Sequence, residues 1–376
     1  MPFALDPVSE LPSSVDWRET GVVSPVKNQG ACGSCWAFAT IEGLESHLAL
    51  QTGILFSLSM QQLVSCSPNP HHCGGLGGCL GSIPQLGYDH VAQHGIVEEW
   101  SFSYDSFHGQ PVDCPYDQPL LQMDDASSSS SSSLASTTRK SLYAGAVATI
   151  EGYATTPVNN YTAVMNAVAK HGPIVVSVAA SHWGLYQGGV FDSHHKDASA
   201  YDMNHAVLLV GYGTDDETGQ DYWLVRNSWG PQWGTFYLHL FCCCCCWYSF
   251  LSFWLLGLLC CTKQNNTVLN VKLLGCLCER LLLSSPCLFV VSLSLVCVCV
   301  CVCVIGEKGY IRLKRQDPAT MDDPESDCGM DVTPSDGDAC SRDDNGNPID
   351  PPDMKVCGTS GVYYMGVFPV GGSLAD

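Results

Sequence analysis

The chain has 376 residues, with 16 Lys and Arg against 37 Asp and Glu, a net charge of −21. That balance argues against nucleic acid or an anionic lipid surface as a partner, because both carry the same sign. Its 23 cysteines point to an oxidising compartment, yet fourteen of them crowd into residues 235–306 and nine lie elsewhere.

Residues 1–10 hold neither a basic n-region nor an apolar h-region, so no signal peptide is expected there. Residues 25–38 read PVKNQGACGSCWAF and place the amide of Gln29 six residues before Cys35. Gly30, Ala31, Gly33 and Ser34 lie in the gap, and then Ala37, Ile41, Leu44 and Leu48 recur at helical spacing. Cys35 is therefore expected at the start of a helix that ends near Thr52-Gly53. Unpaired N–H groups and the helix dipole favour an anion at that end, and a thiolate is one. Cysteine attacks carbonyls as the thiolate, so Cys35 reads either as a nucleophile or as a structural cysteine.

Residues 67–82 form a Gly-rich loop in which His71-His72 could mark a metal site but reads as solvated, as does His194-His195 further on. Residues 124–138 contain seven consecutive serines and read as a flexible insertion. After it come a strand at 146–154, a helix at 161–172 ending on glycine, and a buried strand at 173–180. Asn160-Tyr161-Thr162 is an N-glycosylation acceptor if the protein is secreted. His205 precedes the apolar run AVLLV and Asn227 follows YWLVR, so both polar side chains are expected at strand ends.

QGACGSCWAF at 29–38 resembles the active-site segment of the papain-like cysteine proteases. NHAVLLVGYG at 204–213 resembles their histidine segment, YWLVRNSWGPQWG at 222–234 their asparagine segment, and LPSSVDWR at 11–18 the start of their mature domain. The resemblance implies an α+β, two-lobed fold with the active site in the cleft between a helical lobe and a β-rich lobe. It also implies a chain that begins at the mature domain, without the prodomain such enzymes are made with. The reaction it implies is peptide hydrolysis through a thioester, without metal or cofactor, acting on protein or peptide substrates and open to cystatin-type inhibitors. By motif position Cys35 is the nucleophile, His205 the proton carrier and Asn227 the group orienting His205. Gln29 and the Cys35 N–H would form the oxyanion hole, and Trp229 would shield the His205–Asn227 hydrogen bond.

The same alignment assigns LSMQQLVSC at 58–66 to a second short helix and matches residues 78–82 to the family's Gly-Cys-x-Gly-Gly wall of the cleft. Gly81 and Ser82 would meet the substrate backbone, with Ser82 standing where the family has glycine. Ile83, Pro84, Ser177, Met203 and Met365 would line the pocket for the residue two positions before the scissile bond. That lining is apolar and uncharged, similar to cathepsin L-type endopeptidases, and implies an apolar preference. Cys32 would pair with Cys79 and Cys66 with Cys114, leaving the partners of Cys73, Cys328, Cys340 and Cys357 open.

Residues 235–306 interrupt the family pattern, because the strand GYIRLKR at 309–315 normally follows Trp-Gly at once. Runs 241–261 and 287–305 are long and apolar enough to read as membrane spans. Alternating Val-Cys is also what a GT dinucleotide repeat encodes, and both ends admit splice-site codons in one phase, so a retained intron of 72 residues is the favoured reading. A mis-spliced inactive product or a membrane-inserted homologue is the alternative, and a membrane is a partner only if the segment belongs to the protein. Removing it, with Lys263, Lys272 and Arg280 against Glu279, takes the net charge to −23. The expected organisation is a remnant at 1–10, a helical lobe at 11–120, a Ser-rich insertion at 121–140, a β-rich lobe in two parts at 141–234 and 307–376, and the insertion between them. Residues 317–353 hold twelve acids and read as a solvated loop. A lysosomal or vacuolar location, or secretion, is the expectation.

Overall fold

A computed structural model describes residues 4–116, 142–193, 198–244 and 297–375. The chain divides into two compact units, Met1–Thr235 with Gly306–Asp376, and Phe236–Ile305. The Ser-rich stretch, His194-His195 and residues 245–296 lie outside the described residues.

Helix α1 spans Cys35–Thr52, α2 Met60–Cys66, α3 Pro84–His94 and α4 Tyr161–Lys170. Each end has a local cause. Gly53 adopts the left-handed conformation and its N–H closes α1 onto the Ala49 carbonyl at 2.9 Å. Ser59 Oγ accepts from Gln62 N at 3.0 Å to start α2, and Asn160 Oδ1 accepts from Ala163 N at 2.9 Å to start α4. The asparagine of the glycosylation triplet is thus also a helix cap. Helix α3 was not read from the sequence, although Pro84 at its first position and the buried pair Tyr88 and Val91 carry its signal. Helix α1 differs from the one-sided helix its spacing suggests, because every residue from Trp36 to Ala49 is buried.

Strands β1 (Val15–Asp16), β2 (Ala148–Thr149), β3 (Gly152–Thr155), β4 (Ile174–Val178), β5 (Val190–Phe191), β6 (His205–Thr214) and β7 (Asp221–Arg226) come first. Strands β8 (Thr235–Cys244) and β9 (Cys297–Gly306) pair with each other in a separate two-stranded sheet. Strands β10 (Tyr310–Lys314), β11 (Cys328–Asp331), β12 (Met354–Cys357) and β13 (Gly366–Val370) follow. The main sheet has the order β3-β13-β4-β6-β7-β10-β5, with β1 against β6. Its strands read as continuous apolar runs because both faces are covered. On one face Val175, Leu208, Val210 and Val367 pack with Ile41, Leu44 and Leu48 of α1. On the other Val176, Val207, Leu209, Ile311 and Leu313 pack with Val164, Met165 and Val168 of α4. The single strand read at 146–154 is split into β2 and β3.

The acidic stretch is more than a solvated loop. Strands β11 and β12 form a hairpin joined by the Cys328–Cys357 disulfide, and Cys340 is bonded to Cys73 in the Gly-rich loop. Asp327 and Asp331 are buried: Asp327 accepts from Tyr363 Oη at 2.5 Å, and Asp331 accepts from Thr333 N at 2.9 Å. The His71-His72 pair is likewise held, with His71 Nδ1 donating to the Asp343 carbonyl at 3.2 Å and Arg342 Nε donating to His72 Nδ1 at 3.1 Å. Two loops that each look polar from sequence cover one another, which explains both departures.

Among the described residues no helix is long and apolar enough to cross a membrane. Of the two apolar runs, the described ends 241–244 and 297–305 are strand, and the rest lies outside the described residues.

Candidate active site

Cys35, the first residue of α1, and His205, the first of β6, line one cleft of about 250 Å³ together with Gly81, Ser82, Pro84 and Ser177. Cys35 carries a free thiol. Enclosure pushes its thiol pKa up, while the backbone N–H groups of Ala206, Trp36 and Cys35 pull it down. A donor from Ala206 places the sulfur beside the residue that follows His205.

The tautomer of His205 follows from its neighbour. Ser228 N lies 2.7 Å from Asn227 Oδ1, and a backbone N–H can only donate, so that atom is the oxygen. His205 Nε2, at 2.8 Å from the same oxygen, must therefore carry the proton. Nδ1 of the neutral ring is left as an acceptor. Burial lowers the His205 pKa to about 4, and the bond to Asn227 opposes the shift. The ring lies 5.0 Å from Trp229 and 6.1 Å from Trp183, centroid to centroid, and Trp233 stacks on Trp183, so indoles wall the site on this side. Gln29 is fixed by Ser228 Oγ donating to its Oε1 at 2.6 Å and by its own Nε2 donating to the Cys32 carbonyl at 3.0 Å. The second Nε2 hydrogen remains for a ligand.

Both charges of a thiolate–imidazolium pair are disfavoured singly by burial, so each must stabilise the other. His205→Gln should then leave Cys35 with a pKa above the ordinary thiol value of about 8.5. Because a raised pKa delays thiolate formation, alkylation by iodoacetamide should fall at neutral pH and recover only as pH rises further. An unchanged pH profile would rule out coupling between the two groups.

The walls are set by close backbone approach. Gly33 N donates to the Cys79 carbonyl at 2.9 Å, and a Cβ on Gly33 would lie 2.7 Å from that oxygen. The Cys32–Cys79 disulfide crosses the same junction, and Cys66 is bonded to Cys114. Ser82 is buried in the cleft wall.

Of the residues expected to line an apolar pocket, Ile83, Pro84, Ser177, Met203 and Met365, two, Pro84 and Ser177, line the cleft. Ile83 and Met203 are buried, and Asp336 and Gly337 line the cleft beside Pro84 and Ser177. Asp338 accepts from Ser177 Oγ at 2.9 Å. The Cys73–Cys340 disulfide, closing 267 residues of sequence, seats this acidic segment there, and no local pattern announces it. The unassigned, even set of four cysteines was the available signal. Among the described residues no cluster of three or more His, Cys, Asp or Glu is placed to hold a metal ion.

Behind the site, Arg226 immediately precedes Asn227 and is fully buried. It lies 3.0 Å from Glu42 and donates to Ser24 Oγ at 3.1 Å, while Glu45 accepts from Lys27 at 2.5 Å. Burial pushes the Glu42 carboxyl up to about 7 against the pull of Arg226. Arg226→Ala would remove the ion-pair partner of buried Glu42 and should destabilise the fold by about 3–5 kcal/mol in denaturant unfolding. A loss below about 1 kcal/mol would mean that the pair is dispensable.

A model described as papain family cysteine protease matches residues 11–240. The chain is 38% identical over 231 residues to the oryzain beta chain of Oryza sativa subsp. japonica, covering 61% of this chain and 42% of that protein. It is 38% identical over 230 residues to procathepsin L of Mus musculus, covering 60% and 58%. The chain thus spans about half the length of these curated relatives. In fold it resembles digestive procathepsin L 3 of Tenebrio molitor larval midgut, with a TM-score of 0.53, 24% identity, and coverage of 98% of this chain and 73% of that one. It also resembles bromelain of Ananas comosus in complex with the E64 inhibitor, with a TM-score of 0.52, 23% identity, and coverage of 96% and 99%.

Proposed function

Since this chain belongs to the papain family of cysteine proteases, we propose that it is a cysteine endopeptidase in which Cys35, His205, Asn227 and Gln29 perform the chemistry. His205 Nδ1 takes the thiol proton as Cys35 Sγ adds to the substrate carbonyl. The oxyanion is held by the free Nε2 hydrogen of Gln29 and the Cys35 N–H. Collapse breaks the C–N bond, and the proton on His205 passes to the leaving amine, giving a thioester on Cys35. Water then adds to the thioester with His205 as base, and the acid product leaves with the thiol restored.

One observation carries this reading: the Nε2–H···Oδ1 bond from His205 to Asn227, which leaves Nδ1 of the neutral ring as an acceptor in the cleft that Cys35 also lines. Titration with E64, the inhibitor bound to bromelain, tests it. One equivalent should label Cys35 and end hydrolysis of a denatured protein substrate. Hydrolysis that continues with Cys35 fully labelled would sink the proposal.

Four disulfides among the described residues fit an oxidising compartment, and we place the enzyme in a lysosome or vacuole or outside the cell. Cystatin-type inhibitors are the partners that family membership suggests.

A further inference from the structure

Ser34 departs from the other polar helix caps. Ser59 and Asn160 each accept a hydrogen bond from an N–H of the first turn, whereas Ser34, in the same position before Cys35 and fully buried, caps nothing with its side chain. Its hydroxyl lies instead 2.8 Å from Tyr104 Oη. Tyr104 Oη is also 2.8 Å from the Gln29 carbonyl oxygen, which can only accept, so the single phenol hydrogen goes there. Ser34 Oγ must then donate to Tyr104 Oη. One hydroxyl thus ties together both ends of the segment 29–35, from the oxyanion donor to the residue before the nucleophile.

Tyr104 is itself held in place. Glu99 Oε1 accepts from its backbone N–H at 2.9 Å, and its ring meets Phe38 of α1 edge to face with centroids 4.8 Å apart. Just beyond it, the Phe107 carbonyl accepts from Ala31 N at 2.8 Å. The chain at Gly30 has no slack, since it runs at a φ of +64° and a Cβ there would lie 2.1 Å from the Phe107 oxygen. On its other side, Gln29 N donates to the Ser228 carbonyl at 2.9 Å. The Gln29 backbone is therefore fixed between Ser228 and Tyr104, and the aim of its Nε2 hydrogen depends on both.

A Ser34 hydroxyl released from Tyr104 would turn back to its own helix. The groups within reach of a capping serine are the N–H groups of Trp36 and Ala37, and the Trp36 N–H is one of those that pull the Cys35 thiol pKa down. Resting on the peptidase reading above, we propose that Tyr104 is a positioning residue for both halves of the site. Its hydroxyl fixes the Gln29 donor of the oxyanion hole and keeps Ser34 from occupying an N–H that the Cys35 thiolate uses.

The test is Tyr104→Phe in the full chain, with rates expressed per site titrated by E64. The phenyl ring keeps its contact with Phe38 and the backbone its bond to Glu99, so the fold is retained. On a peptidyl coumarin amide kcat should fall about tenfold with KM changed less than about twofold, because the oxyanion forms only after binding. Inhibition by a peptide aldehyde, whose adduct carries the same oxyanion, should weaken by a similar factor. Alkylation of Cys35 by iodoacetamide needs no oxyanion hole, and its midpoint should move up by about half a pH unit. Adding Ser34→Ala should return that midpoint to the parent value while kcat stays low. A purely structural role would lower the number of titrated sites and leave the rate per site and the midpoint as they were, which overturns the proposal. A midpoint that stays raised in the double variant overturns the role of Ser34. Failure of E64 to label Cys35 in the parent marks instead the failure of the peptidase reading.

Discussion

Cys35→Ala is expected to lower kcat/KM on any peptide substrate by on the order of a thousandfold or more, with the fold and its disulfides unchanged. The sulfur is the only atom in the cleft that is both free of a disulfide and set between a helix N-terminus and the His205 segment. No other side chain among the four proposed residues can form an acyl bond while His205 remains a base. Gln29 keeps its two anchoring hydrogen bonds in the variant, so the oxyanion donor persists and substrate binding should survive. The signature is therefore a fall in kcat with KM nearly unchanged. Residual hydrolysis within tenfold of the parent, in protein shown free of contaminating protease, would assign the chemistry elsewhere.

The second large effect concerns residues 235–306. Joining Gly234 directly to Glu307 should give a soluble protein in markedly higher yield than the full chain, with E64 titrating close to one site per molecule. The two ends already meet: Glu307 N donates to the Gly234 carbonyl at 2.8 Å and Gly309 N to the Trp233 carbonyl at 2.9 Å. Gly234 and Gly309 both sit at positive φ, as a reversing chain requires. Closing the junction needs a movement on the order of 2 Å in a surface turn, which loops absorb. The removed segment carries two long apolar runs, which favour association in water. Reverse-transcription PCR across the Asn227 and Arg315 codons supplies the biological counterpart, a product shorter by 216 bases. A deletion that fails to fold while the full chain is soluble and active would make the segment part of the working enzyme.

The sequence alone determined the features that rest on short-range chemistry. Cys35 at a helix start, the cap at Gly53, and the polar residues His205 and Asn227 at strand ends follow from periodicity and a few residues of context. The ordered motifs then tied those pieces to a family, and with it to a two-lobed α+β fold. Tertiary structure decided what sequence spacing cannot encode. Helix α1 is buried all round because the sheet lies on one side and α2 and α3 on the other, and its acids Glu42 and Glu45 survive there only through Arg226 and Lys27. The residues from 327 to 343 looked like a solvated acidic loop, since a run of aspartates is normally hydrated. A disulfide to Cys73 and a hydrogen bond to Ser177 instead hold part of it against the cleft. Whether a carboxylate is a hydrated surface charge or a buried, hydrogen-bonded group depends on which residues surround it. Those neighbours come from β4, the Gly-rich loop and the segment around Met203, all remote in sequence, and only the folded chain brings them together.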